Sequence, residues 1–226
     1  MTELHVVRVF CGDDGSWGNP LGVFLEGSSV PPAERQEVAA DLGFSETVFV
    51  DDPERGEIRV FTPAVEIPFA GHPMVGTAWL LDRERGGVSI LRPPAGEVPV
   101  RVEEEWTYAA GRPEWTPPFE FVQLDSPSDV EALDGSPRSD VEIGMWAWID
   151  EDASLLRERV FAEPFGIPED EATGAAAIAL TARLGGPLDI RQGRGSRILT
   201  RPLDDGMVEI AGRVTPEEVR EYEVET

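Results

Sequence analysis

Lysine is missing from this 226-residue chain, and all 19 basic residues are arginine. Chemistry that runs through a lysine amine is therefore excluded, including Schiff bases and the phosphate-binding lysine of a P-loop. Cysteine and histidine are almost as scarce, with Cys11, His5 and His72 the whole supply. One thiol and two imidazoles cannot build a thiolate zinc site, a disulfide framework or a two-thiol racemase within one chain. Positive charge is short as well: 44 acidic residues leave a formal net charge of -25. Such a field repels phosphate backbones and anionic lipid, so neither nucleic acid nor membrane is expected as a partner. The same acidity also suits a protein adapted to a salty cytoplasm. No apolar run approaches the ~18 residues needed to cross a bilayer. Met1 to Phe10 alternates charged and apolar residues without the basic segment and apolar core of a secretory signal. The expectation is a soluble, cytoplasmic protein whose proton-transfer groups are carboxylates, the histidines or the two tyrosines.

What is present is 41% hydrophobic residues with 23 glycines and 20 prolines, a composition for short strands and many turns. Leu4 to Phe10 and Leu21 to Leu25 read as paired strands, and Ala33 to Leu42 as a helix stopped by Gly43. Strands follow at Thr47 to Val50, Glu57 to Phe61, Val88 to Leu91 and Val98 to Val102, with a buried helix over Met74 to Leu81. The segment Gly111 to Pro118 suits neither helix nor strand and marks a domain boundary, giving domains 1–112 and 113–226. Ser126 to Asp140 reads as a surface loop. Beyond it come strands at Glu142 to Ile149, Arg159 to Phe161, Arg197 to Thr200 and Met207 to Ile210, and an alanine-rich helix over Thr173 to Leu184. Thr215-Pro216-Glu217-Glu218 has the form of a capping box and predicts a last helix.

An internal repeat organises these elements. Arg59-Val60-Phe61 with Ile67-Pro68 recurs 100 residues later as Arg159-Val160-Phe161 with Ile167-Pro168, five identities in ten positions. Both copies then pass through a glycine, Gly71 or Gly174, into a helix of small residues. Two such halves facing each other would bring two helix N-termini to one cleft, each with open N–H groups and a positive dipole end. That cleft suits a carboxylate or a phosphate.

The blocks Gly18-Asn19-Pro20-Leu21, Phe44-Ser45-Glu46-Thr47-Val48-Phe49-Val50, Phe61-Thr62-Pro63 and Phe69-Ala70-Gly71-His72-Pro73 closely resemble the amino-terminal half of the PhzF family of phenazine biosynthesis. Glu169-Asp170-Glu171-Ala172-Thr173-Gly174-Ala175-Ala176 resembles its second-half block, and Gln192-Gly193 begins a segment similar to another. The resemblance implies a diaminopimelate epimerase-like α/β (α+β) fold: two similar pseudo-symmetric domains, each a mixed sheet curled around a central helix, with the active site between them. It implies a cofactor-independent isomerase, commonly a homodimer, that moves a proton between carbons of a small carboxylate without any metal. By that resemblance Glu46 is the general acid/base, and His72 and Asp170 orient the substrate and relay protons. Gly71-His72 and Gly174-Ala175 hold the substrate carboxylate through backbone N–H groups, and Asn19 and Ser45 touch its polar substituents. A carboxylate can serve as base without a metal when burial raises its pKa, and Phe44, Val48 and Phe49 supply apolar surroundings for Glu46.

Three departures from the family pattern bear on activity. Ala175 stands where the family has serine, Glu171 where it has proline, and the chain is short between Pro93 and Arg159. They keep a second reading open, a catalytically silent relative that binds a small carboxylate or a protein. A third, amino-acid epimerisation by two opposed bases, requires carboxylates in place of thiols. Cys11 reads as an ordinary buried thiol.

Overall fold

A computed structural model describes residues 2–223. The opening strands β1 (Thr2–Cys11) and β2 (Asn19–Phe24) pair antiparallel, with Val7 opposite Leu21. Helix α1 (Arg35–Leu42) ends at Gly43, whose φ of 67° is the left-handed cap expected there. Then come β3 (Thr47–Asp52), β4 (Glu57–Phe61), β5 (Glu66–Ile67), α2 (Gly71–Arg85), β6 (Ile90–Leu91), β7 (Val98–Glu103) and β8 (Trp106–Gly111). After the Gly111 to Pro118 segment follow β9 (Phe119–Gln123), α3 (Pro127–Glu131), β10 (Glu142–Asp150), β11 (Leu155–Ala162), β12 (Ile167–Asp170) and α4 (Gly174–Leu184). The chain closes with β13 (Leu188–Gln192), β14 (Ser196–Pro202) and β15 (Val208–Tyr222).

All fifteen strands join one mixed sheet, whose main path runs β5-β4-β3-β2-β1-β15-β14-β13-β11-β10-β9. β15 is its hinge piece: Arg213 to Tyr222 pair with β1 of the first half, while Val208 to Gly212 are flanked by β14 on one edge and β8 on the other. The sheet curls around the two small-residue helices. In α2 every residue from Gly71 to Ala78 is buried, so the helix is apolar all round because it is surrounded. Met74, Val75, Leu80 and Leu81 of α2 share one core with Ala177, Ile178 and Leu180 of α4. Each large aliphatic side chain so buried contributes about 1.5–3 kcal/mol.

The repeat is built as two equivalent supersecondary units. β4 turns back into β5 and enters α2, and β11 turns back into β12 and enters α4, with Ile67 opposite Val60 and Ile167 opposite Ala162. One expectation fails: Thr215 to Tyr222 is strand rather than helix. The stretch lacks an apolar stripe of helical period, and β1 offers it an open edge along its whole length. Pro216, the strongest helix-opening signal there, sits at a bulge where the register slips between Val6 and Val7, so its missing N–H disrupts no regular ladder. The Ser126 to Asp140 segment is not all loop, since α3 forms with Ser126 as its cap and Val130 buried.

Candidate active site

The two helices start at the same point. A Cβ on Gly71, the first residue of α2, would lie 2.8 Å from the Cα and carbonyl carbon of Gly174, the first residue of α4. A Cβ on Gly174 would lie 2.9 Å from Gly71 Cα. Only residues without a side chain let two backbones approach this closely. Neither helix is capped by a side chain, so their first-turn N–H groups stay open and their positive ends converge. α2 begins two residues ahead of Pro73, which places His72 in its first turn.

Glu46 stands immediately before β3 and turns toward this junction. Its Oε2 is 3.5 Å from His72 Nε2, with the two side chains 17% and 4% exposed. Both atoms are buried, and neither has a hydrogen-bond partner. Burial raises the Glu46 carboxyl to about 7, against a smaller downward pull from the Ser45 hydroxyl. Burial lowers His72 to about 4, opposed by the charge of Asp170. At neutral pH the imidazole is therefore uncharged, while Glu46 is poised between acid and base. Unpaired buried polar atoms are rare in folded proteins, and two facing each other beside the helix starts make this the candidate site.

Asp170 ends β12 on the opposite wall. Its carboxylate accepts from Asn19 Nδ2 at 2.7 Å and from Thr173 Oγ1 at 2.6 Å. Gln192 braces the same turn, donating to the Asp170 carbonyl and accepting from Thr173 N, both at 2.9 Å. Burial, and then the charge of Glu46, raises Asp170 to about 6. Of the residues expected from sequence, Glu46, His72 and Asp170 thus interact around the Gly71 and Gly174 contact. Asn19 spends its amide on Asp170 and Ala172 O, so it positions the carboxylate. Ser45 lies beside Glu46, and Ala175 is the buried second residue of α4. Glu171 turns away. It accepts from Arg194 N and Ser196 Oγ at 2.9 Å and, with Arg8 and Arg194, lines a separate pocket of about 480 Å³. Cys11 is buried against Thr215 Oγ1 at 3.3 Å, and burial raises its thiol pKa. Among the described residues no group of histidine, cysteine or acidic side chains could hold a metal ion.

Two carboxyls have no counterpart in the sequence expectations. Glu142, at the start of β10, is raised to about 7 by burial and then by the charges of Asp170 and Glu46, so it belongs to the same cluster. Glu158 on β11 is fully buried, with both oxygens unpaired, and occupies the space left by Gly144, whose added Cβ would meet Glu158 Oε1 at 2.8 Å. Burial raises Glu158 to about 8, offset in part by Arg157. The native state therefore keeps a proton that the unfolded chain releases near 4.5. Stability is full below that value and falls as pH rises through about 8, by of order 3–5 kcal/mol at most. Glu46, Glu142 and Asp170 are raised in the same direction and add to the fall in this range, so Glu158→Gln is expected to remove the Glu158 share of the slope, which denaturant titrations at pH 5.5 and 8.5 would show. An unchanged slope would place the titrating group elsewhere.

Comparison with known proteins places these features in context. Residues 7–143 match the family model PhzC-PhzF, described as phenazine biosynthesis-like protein. The trans-2,3-dihydro-3-hydroxyanthranilate isomerase of Pseudomonas fluorescens is 31% identical over 226 aligned positions, covering 78% of this chain and 80% of its own. A PhzC/PhzF protein from Clostridium difficile superposes with a TM-score of 0.80 at 20% identity, over 99% of this chain and all of its own. A probable proline racemase from Agrobacterium radiobacter, solved with bound carbonate, superposes at 0.64 with 12% identity, covering the whole chain and 94% of its own. The fold is thus that of the PhzF proteins, epimerases and proline racemases.

Proposed function

Because this chain belongs to the PhzC-PhzF family of phenazine biosynthesis-like proteins, we propose that it is an isomerase that shifts a proton between two carbons of a small unsaturated carboxylate. The observation that carries the reading is the unpaired Glu46 and His72 couple beside the junction of two uncapped helix starts. In this reading the first-turn N–H groups at Gly71-His72 and Gly174-Ala175 hold the substrate carboxylate. Glu46 then faces a carbon whose proton is acidified by conjugation to that carboxylate. Ionised Glu46 takes the proton, the electron pair spreads into the conjugated system toward the held carboxylate, and a proton returns at a distant carbon. Neutral His72 and the fixed Asp170 place the ring substituents. Residues 1–112 and 113–226 supply the two walls, and two copies of the chain form a homodimer.

The serine hydroxyl absent at Ala175 removes one donor, while the backbone N–H at that position remains. Glu171, whose charge is directed at Arg194 N and Ser196, leaves the anion cradle undisturbed. Neither departure removes the backbone N–H groups of the cradle, and the buried Glu46 and His72 couple is what favours an enzyme over a silent binding protein. The first substrate to test is trans-2,3-dihydro-3-hydroxyanthranilate, on which the Pseudomonas fluorescens relative is named to act. Isomerisation is followed by absorbance across pH 5 to 9. Activity is expected to fall about tenfold per pH unit below about 7, as the Glu46 carboxylate takes up a proton. His72→Asn should retain that acid limb, because His72 stays neutral down to about 4. Loss of the limb in His72→Asn would assign it to the histidine instead. No turnover at any pH would overturn this substrate.

A further inference from the structure

Strand register puts Glu142 in the second half where Glu46 stands in the first. In the first half, Thr47 on β3 lies opposite Phe61 on β4 and Val48 opposite Val60. In the second, Ile143 on β10 lies opposite Phe161 on β11 and Gly144 opposite Val160. Phe61 and Phe161 are equivalent members of the internal repeat, so Thr47 and Ile143 are equivalent too. Glu46 directly precedes the one and Glu142 the other. The parallel neighbours agree, with β2 beside β3 and β9 beside β10.

Register also fixes which way Glu142 faces. Asp170 lies opposite Val160, which lies opposite Gly144 on its other side, so Asp170, Val160 and Gly144 share one face of the sheet. Glu142 is two residues from Gly144 and faces the same way. Asp170 is already in the cleft, and Glu142 is half-buried beside it. The place is built for a ligand on independent grounds, since the buried His72 Nε2 and Glu46 Oε2 point into it without partners.

We propose that Glu142 is a second proton-transferring residue of this cleft, acting on the substrate from the wall opposite Glu46. The proposal rests on the isomerase reading above and deepens it. One carboxyl must be ionised and the other protonated at the start. Glu46 takes a proton from one carbon, whose C–H electron pair enters the conjugated system. Glu142 then delivers its own proton to the receiving carbon, where the pair forms a new C–H bond. The substrate is isomerised with no net gain or loss, and the two carboxyls have exchanged protonation. Solvent resets them before the next turnover. The charges of Asp170 and Glu46 both favour the protonated form of Glu142, the state this donor needs.

Two measurements test the proposal. Isomerisation of trans-2,3-dihydro-3-hydroxyanthranilate in D2O compares wild type with Glu142→Gln for rate and for deuterium in the product. With Glu142 as donor, the product carries solvent deuterium, and Glu142→Gln is at least tenfold slower with less than half the label, because Glu46 then returns the hydrogen it removed. A rate and label both within twofold of wild type would overturn the proposal. The second measurement needs no substrate: carbon-13 NMR of glutamate side-chain carboxyls follows Glu142 through pH 4 to 9, in wild type and in Glu46→Gln. The Glu142 midpoint is expected to drop when the facing charge is removed, and an unmoved midpoint would show that the two do not share a cleft. If wild type leaves the dihydroanthranilate untouched, the substrate proposed above falls, and the titration alone decides for or against Glu142.

Discussion

Glu46→Gln is expected to lower turnover about 10²–10⁴-fold while a carboxylate probe such as anthranilate still binds within about threefold of wild type. The amide keeps the size and shape of the side chain and cannot accept a proton from carbon. Because Glu46 Oε2 has no hydrogen-bond partner, the substitution breaks no hydrogen bond at that oxygen, and the helix starts proposed to hold the probe do not involve this side chain. Asp170→Asn would be a poorer experiment. Asp170 accepts from Asn19 Nδ2 and Thr173 Oγ1, so an amide there can set donor against donor and displace the turn that opens α4. Loss of activity in that variant would mix chemistry with geometry. Calorimetric titration of anthranilate alongside the isomerisation assay separates the two effects for Glu46. Turnover within threefold of wild type would remove Glu46 from the proton path. Weak binding together with lost turnover would make it a binding residue.

Much of this was legible in the chain because local and global signals agree there. Gly43 ends α1 where the apolar spacing stops, and the Arg59 and Arg159 copies announce two equivalent strand-return-helix units. Met74 to Leu81 read correctly as a largely buried helix and Thr173 to Leu184 as an alanine-rich one. The failures have specific causes. Thr215 to Glu218 carries a helix-opening pattern, but the long open edge of β1 makes a strand there the better use of its backbone groups. Glu142 is one of 44 acidic residues, and nothing adjacent to it in sequence distinguishes it. The repeat itself misleads at this point. Both turns have four residues, but β10 and β11 each run two residues further between the turn and the Ile143–Phe161 pair than β3 and β4 do from the Thr47–Phe61 pair, so the offset of 100 residues maps Glu46 onto Trp146. Only pairing register, counted from the Phe61 and Phe161 pairs, recovers the equivalence. Glu158 was equally hidden, since its burial depends on the absence of a side chain at Gly144 on the neighbouring strand.

The other large effect is expected from a single methyl group. Gly71→Ala places a Cβ 2.8 Å from the Gly174 backbone and 2.9 Å from Ile210 Cδ1. The isoleucine can rotate, but the backbone at the start of α4 cannot, so the two helix starts must separate. Helix propensity points the other way, because alanine in place of a helical glycine gains up to about 1 kcal/mol. Overpacking costs about 1–3 kcal/mol and occasionally more, so the steric effect decides the sign and the melting temperature falls. Function suffers more than stability. Moving α2 carries His72 away from Glu46 and opens the two sets of N–H groups proposed to share one carboxylate, and a displacement of about 1 Å can cost about 10²-fold in rate. Gly43→Ala is the control. Gly43 has φ of 67° with nothing within 4 Å of an added Cβ, so alanine there strains the backbone without touching the cleft. It is expected to lose about 1 kcal/mol of stability and little activity. The two variants together separate a general loss of stability from the opening of the junction. If Gly71→Ala retained activity within threefold and melted like wild type, the close approach of the helix starts would not be what holds the substrate.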